Sequence, residues 1–190
     1  MNQLGSEKNN PIKRINRELK YKGAIVNFYE DSIELPNGKI VHWDYVEHPK
    51  GAAAVVAVQE DGKLLMVKQY RNALDRYTLE IPAGARDSVN EPTIICAARE
   101  LEEETGFRCD NLEFLISLKT TVAFCNELID VYVARELIPS KQNLDADEFI
   151  DIEAHGLDQV CQWIYEGEIQ DSKTVAAVMA YKNKYFGMSS

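Results

Sequence analysis

Apolar positions along the chain fall into short runs over its first half and take on helical spacing at three later places. From Leu19 the pattern is strand-like: Tyr21, Ala24-Ile25-Val26 and Phe28 open a block that continues through 32–35 and 39–45. Pro36-Asn37-Gly38 separates the last two runs. Asn-Gly accepts the left-handed conformations that a tight turn between strands requires, so a hairpin is predicted there. Residues 53–58 and 63–69 form two more β-rich runs around Glu60-Asp61-Gly62, a second hairpin. Further short strands are predicted at 78–81, 112–118, 129–137 and 149–153. The periodicity turns helical over 91–105 and again over 157–165. It does so a third time from Asp171 or Ser172, either of which suits an N-cap, to about Lys184. Residues 1–17 show neither pattern and read as a mobile or loosely docked leader. Strands, helix, strands, helices in that order predict an α/β (α+β) fold, a mixed sheet with helices on its faces. Pro49-Lys50-Gly51 marks the expected boundary between a leader and small antiparallel sheet (1–50) and a main domain (51–190).

The segment 84–107, GARDSVNEPTIICAARELEEETGF, carries the chemistry. Asn90 is the expected cap of its helix, Pro92 suits the first turn, and Gly106 sits where a helix stops. Ile94, Ala97, Ala98, Leu101 and Thr105 form a stripe expected to pack on the sheet. Glu100, Glu103 and Glu104 fall on a different arc as neighbours three and four apart, and like charges at that spacing repel. Arg99 is the one cation within the cluster. Carboxylates so little compensated are how a protein holds hard divalent cations. The tight turn at Pro82-Ala83-Gly84 can aim a backbone carbonyl or amide at the same point. A solvated acidic helix face would show the same residues, so the cluster alone leaves both readings open.

Composition narrows the field. A chain of 190 residues is long enough to bury its own core. Its formal charge of −10 argues against gripping a nucleic-acid backbone. The same charge repels an anionic substrate unless bound cations reverse the local field. No apolar run approaches a membrane span, and 1–10 are polar with no secretory signal, so a cytoplasmic protein without membrane partners is expected. Cys96, Cys125 and Cys161 lie among apolar residues and are expected to be buried thiols, with Cys109 apart from them. His42, His48 and His155 are scattered and make no zinc spacing. Neither a GxxxxGK[ST] loop nor a GxSxG elbow occurs.

Arg99-Glu100-Leu101-Glu102-Glu103-Glu104-Thr105-Gly106-Phe107, with Glu91 eight residues before Arg99, resembles the Nudix box, G-x5-E-x7-R-E-U-x-E-E-x-G-U, where U is bulky and apolar. Lys68-Gln69-Tyr70-Arg71 and Glu80-Ile81-Pro82-Ala83-Gly84 extend the resemblance to the ADP-ribose pyrophosphatase branch, over 19–185. One departure stands out. The box places its first glycine six residues before the glutamate, where this chain has Ala85; Gly84 is seven before, so the loop is one residue longer.

The resemblance implies a Nudix-type α/β/α sandwich and Mg²⁺-dependent (Mn²⁺ is the possible substitute) hydrolysis of a small nucleoside-diphosphate substrate, most simply ADP-ribose to AMP and ribose 5-phosphate. Glu100, Glu103 and Glu104 with the Ala83 carbonyl would hold the metal, and Arg99 would orient the glutamates. Arg71 would meet a substrate phosphate, and Glu80 would line the site. A further acid from a later loop is expected to serve as general base. Glu148 is chosen over Asp145, Asp147 and Glu127 for its reach and for Phe149, expected to anchor the loop in the core. Residues before Ala52 resemble the dimerising extension of the branch. A homodimer is therefore expected, with Phe28 and Tyr29 reaching the partner's adenine. Nucleoside-diphosphate sugars of the GDP-mannose type are the alternative substrates, and a non-catalytic nucleotide sensor the alternative function.

Overall fold

The computed structural model describes residues 11–146 and 148–187; the first ten residues of the expected leader and the candidate acid Asp147 lie outside the described residues. The chain divides into two compact units. One holds the described residues up to Pro49 together with Thr121–Glu127, and the other holds Lys50–Thr120 and the described residues from Leu128 on.

The smaller unit is an antiparallel sheet of β1 (Lys13–Lys22), β2 (Asn27–Glu34) and β3 (Ile40–Glu47), in that order. The hairpin at Asn37-Gly38 forms as expected, with Gly38 at φ 78°. Strand begins at Lys13, within the stretch expected to be a leader. Apolar burial does not hold this strand, since nearly every residue of it is exposed. Arg17 anchors it instead. Its guanidinium donates twice to Asp31 at 2.6 Å and lies 3.6 Å from the Tyr45 ring centroid. Segment 121–127 joins the unit where the Val46 N–H donates to the Phe124 carbonyl at 2.7 Å.

The larger unit is built on β4 (Ala52–Val58), β5 (Leu64–Arg71), β6 (Arg76–Glu80), β7 (Ala83–Ala85), α1 (Thr93–Thr105), β8 (Phe107–Arg108) and β9 (Leu112–Lys119). It continues with β10 (Leu128–Ala134), β11 (Ile138–Pro139), β12 (Ile150–His155), α2 (Leu157–Glu166) and α3 (Ser172–Phe186). Its mixed sheet runs β12-β5-β4-β10-β9, with β6 beside β5 and β7 beside β4; β10 is parallel to β4. Every residue of β4 is buried, because helices cover both faces. Ala53, Val55 and Ala57 pack on Ala97 and Leu101 of α1. Ala54 and Val56 face the cluster that includes Val160 of α2 and Ala177, Val178 and Tyr181 of α3. This is the expected helix–sheet–helix sandwich. Strands β4 and β5 pair at Ala57–Leu65 and Val58–Leu64 and then diverge, and β6 and β7 fill the fork.

Several details differ from the sequence reading. Pro92, not Asn90, stands at the N-cap of α1, with no side-chain cap; its fixed φ and missing N–H suit that place. Gly106 closes the helix in the left-handed conformation as expected, at φ 69°. The buried side of α1 holds Cys96, Ala97, Glu100, Leu101, Glu104 and Thr105, while Ile94 is exposed. Two of the three glutamates thus lie on the packed side rather than on a separate solvated arc. Strand β10 ends at Ala134 rather than 137, because Glu136 adopts φ 55° and breaks the ladder. Cys125 is half-buried rather than buried, and all four cysteines are free. Phe149 does not anchor its loop: it is 79% exposed, and Ile150 beside it enters the core.

Candidate active site

Glu104 is 3% exposed and accepts a hydrogen bond from the Ala83 N–H at 2.9 Å. Burial, reinforced by the charges of Glu100 and Glu148, pushes its carboxyl up to about 8. Glu100 is pushed up to about 7 by burial, with Glu103 and Glu148 adding to the effect against the opposing pull of Arg99. The turn at Pro82-Ala83-Gly84 brings β7 against these carboxylates. A Cβ on Gly84 would lie 2.2–2.3 Å from the Glu100 carboxyl atoms, so any side chain there would displace that carboxyl. Gly84, seven residues before Glu91, is thus the glycine that faces the cluster.

Arg99 ties the cluster together. It donates to Glu100 at 2.8 Å, Glu103 at 3.0 Å, Glu91 at 3.4 Å and the Ala85 carbonyl at 3.1 Å. Glu91 also accepts from the Asp87 N–H at 2.7 Å, so this glutamate buttresses the loop and the arginine together. In this arrangement no three His, Cys, Asp or Glu side chains among the described residues converge in metal-binding geometry. Arg99 occupies an oxygen of Glu100 and of Glu103 instead. Lys50, Gly84, Arg99, Glu100, Glu103, Asn143, Asp145 and Glu148 line a polar cavity of about 270 Å³. Loop 143–148 is drawn to it by Asn143, whose N–H donates to the Glu103 carbonyl at 3.0 Å. Glu148 closes a turn of that loop, its N–H reaching the Asp145 carbonyl at 3.0 Å and its carboxylate accepting from the Asp145 N–H at 3.3 Å.

Arg71 and Glu80 form a second cluster. Arg71 Nε and Nη2 donate to the two Glu80 oxygens at 2.7 and 2.6 Å. Thr78 Oγ1 donates to Glu80 at 2.6 Å, and Lys173 Nζ makes a close contact to Oε2. Burial alone would raise the Glu80 carboxyl; Arg71, Lys173 and Thr78 hold it down to about 2. Lys173 and Thr78 were not singled out in the sequence. The available signal was a lysine beside the N-cap Asp171, at the helix end that disfavours a cation.

The remaining candidates lie in the smaller unit. Phe28 lines a cleft there with Trp43, Tyr45, Val122 and Phe124. The Tyr29 hydroxyl donates to Glu47 at 3.0 Å. Glu127 lies 3.8 Å from His48 Nε2.

The family model for the NUDIX domain matches residues 48–178. The methanol dehydrogenase activator of Bacillus methanolicus is 44% identical over 169 residues, 87% of this chain and 90% of the relative. The ADP-ribose pyrophosphatase of Bacillus subtilis is 39% identical over 168 residues, 87% and 90% of the two chains. That of Mycobacterium tuberculosis is 35% identical over 173 residues, 89% and 82%. A crystal structure of an ADP compounds hydrolase superposes with a TM-score of 0.82 at 22% identity, covering 96% of this chain and 98% of that one.

Proposed function

The chain belongs to the NUDIX family as a pyrophosphohydrolase, and from that premise we propose that it hydrolyses ADP-ribose to AMP and ribose 5-phosphate in a Mg²⁺-dependent reaction, with Mn²⁺ as the possible substitute. The observation that carries the reading is the pair of buried carboxylates, Glu100 and Glu104, pressed against the Gly84 turn at the edge of a polar cavity. Burial and the neighbouring carboxylates hold both far above the ordinary carboxyl value. Hard oxygen donors of this kind fit a divalent cation. Glu100, Glu103, Glu104 and the Ala83 carbonyl would hold Mg²⁺, which when bound neutralises charge on the diphosphate and lowers the pKa of an attacking water. Arg99 orients the glutamates, and Arg71 offers its half-exposed guanidinium to a phosphate. Glu148, a carboxylate on the loop beside the glutamates, takes the proton from the water.

The substrate is supported by the two ADP-ribose pyrophosphatase relatives. A panel of ADP-ribose, ADP-glucose, GDP-mannose, NADH and nucleoside triphosphates with Mg²⁺ tests it: ADP-ribose should be cleaved with the highest kcat/KM. Preference for GDP-mannose would transfer the assignment to nucleoside-diphosphate sugars. Similarity to the methanol dehydrogenase activator favours a second reading, stimulation of a methanol dehydrogenase. Loss of both activities in Glu103→Gln would place them at one site. We further assign the chain to the cytoplasm, on its free cysteines, and to a two-fold dimer through the smaller unit. The exposed Ile15, Leu19 and Tyr21 of β1 support a partner there. A monomer by light scattering at micromolar concentration would refute the dimer.

A further inference from the structure

Lys173 is a cation placed where helix physics disfavours one. It stands in the first turn of α3, at the end that carries the positive part of the helix dipole. It is also 8% exposed, so its ammonium has lost most of its water. Asp171 already caps the helix by accepting from the Thr174 N–H at 3.0 Å, so the start of α3 does not need the lysine. What offsets both costs is contact with two carboxylates. Nζ donates to Asp171 Oδ2 at 3.0 Å and to Glu80 Oε2.

Glu80, 93 residues away in sequence, is thereby fully committed. Its Oε1 receives Arg71 Nε and Thr78 Oγ1, and its Oε2 receives Arg71 Nη2 and Lys173 Nζ. Two donors on each oxygen fix the carboxylate plane, and a doubly bonded guanidinium must lie in that plane. The Arg71 side chain remains 39% exposed, so the rest of its fork faces outward. Next to Glu80, the Ile81 N–H donates to Thr174 of α3 at 3.0 Å, and two residues on, the Ala83 N–H donates to Glu104 at 2.9 Å, so one short segment joins the clamp to the glutamate cluster.

We propose that Lys173 is a positioning residue for Arg71: by clamping Glu80, it sets the plane in which the arginine offers its free N–H groups to a substrate phosphate. The inference rests on the reading that Arg71 meets the diphosphate. Steady-state kinetics on ADP-ribose with Mg²⁺ test it in wild type, Lys173→Met, Lys173→Arg, Arg71→Ala and the double variant Arg71→Ala/Lys173→Met, each well below its melting midpoint. Lys173→Met should raise KM about tenfold with kcat within about twofold, the signature of lost uniform binding. Lys173→Arg should recover most of that loss. In the Arg71→Ala background, Lys173→Met should change KM by less than about twofold, because its effect passes through the arginine. An equal KM effect in both backgrounds, or an unchanged KM in a Lys173→Met protein that is merely less stable, overturns the proposal. If Lys173→Met does not fold, Lys173→Gln, which removes the charge and shortens the arm, carries the same cycle and the same criteria. A wild-type protein inactive on ADP-ribose refutes the substrate assignment instead, and the cycle is then run on the panel member that is cleaved.

Discussion

Replacing Glu80 by glutamine keeps the shape of the side chain and removes its charge, leaving Arg71 and Lys173 without the anion they share. Glu80 is 1% exposed and its carboxyl is held at about 2, against an ordinary 4.5. At 1.36 kcal/mol per pH unit, that difference corresponds to about 3 kcal/mol of stability at neutral pH. Removing one partner of a buried ion pair costs a similar amount, on the order of 3–5 kcal/mol; the half-exposed Arg71 end favours the low side. For a chain of this size, about 3 kcal/mol lowers Tm by roughly 6–12 °C. The pH dependence separates this cause from a packing defect. Because the folded-state value is depressed, the stabilisation is complete above about 4.5 and is lost as pH falls toward 2. Urea unfolding of wild type and Glu80→Gln from pH 7 to pH 3 should give a gap constant above about pH 5.5 that narrows below 4.5. A gap under about 1 kcal/mol at pH 7, or one that stays constant down to pH 3, refutes the reasoning.

Glu103→Gln and Glu104→Gln should each reduce turnover by orders of magnitude at saturating Mg²⁺ while leaving the metal-free Tm unchanged or slightly raised, since Glu104 is a buried carboxyl already pushed up to about 8. Near-normal activity in either would remove it from the ligand set. Gly84→Ala should abolish most activity by displacing the Glu100 carboxyl, with Mg²⁺ affinity, read by isothermal titration, weakened alongside; normal affinity would contradict that reading. Glu148→Gln should lower kcat by roughly 10²-fold with KM and Mg²⁺ affinity little changed. A larger kcat loss in Asp145→Asn, Asp147→Asn or Glu127→Gln would move the base to that residue.

The elements legible in the sequence were those with local signals. Asn37-Gly38 marked its hairpin, the 3.6-residue spacing marked α1, and Asp171 or Ser172 marked the start of α3, where the structure has Asp171 as the cap. Strand β1 was missed in part because its order comes from Arg17 on Asp31 and Tyr45, not from a buried face; the alternation of Ile15, Arg17, Leu19 and Tyr21 was its only trace. The glutamates of α1 were found by motif, but their burial was not readable. Burial depends on which side of the helix meets β4 and β7, and the stripe drawn through Ile94 pointed slightly away from it. The clamp on Glu80 was invisible for a plainer reason: its parts come from β5, β6 and α3, and no periodicity relates positions 71, 80 and 173. Phe149 misled because an apolar residue before a strand need not enter the core when its neighbour Ile150 takes the inward position.

The fork between β4 and β5 has a thermodynamic consequence. The segment 80–85 that fills it is fastened on both sides: the Ile81 N–H donates to Thr174 of α3 at 3.0 Å, the Ala83 N–H to Glu104 of α1 at 2.9 Å, and the Val55 N–H to the Pro82 carbonyl at 2.9 Å. Glu80, which aims the arginine, and Gly84, which seats Glu100, thus stand on one short piece of backbone that cannot shift at one end without loading the other. Under the proposed assignment of the ion to the glutamates and the diphosphate to Arg71, the two ligands are linked through it. Whatever factor an ion on the glutamates adds to the affinity for diphosphate, the diphosphate must add to the affinity for the ion, and a substitution that slackens the segment lowers both by the same ratio.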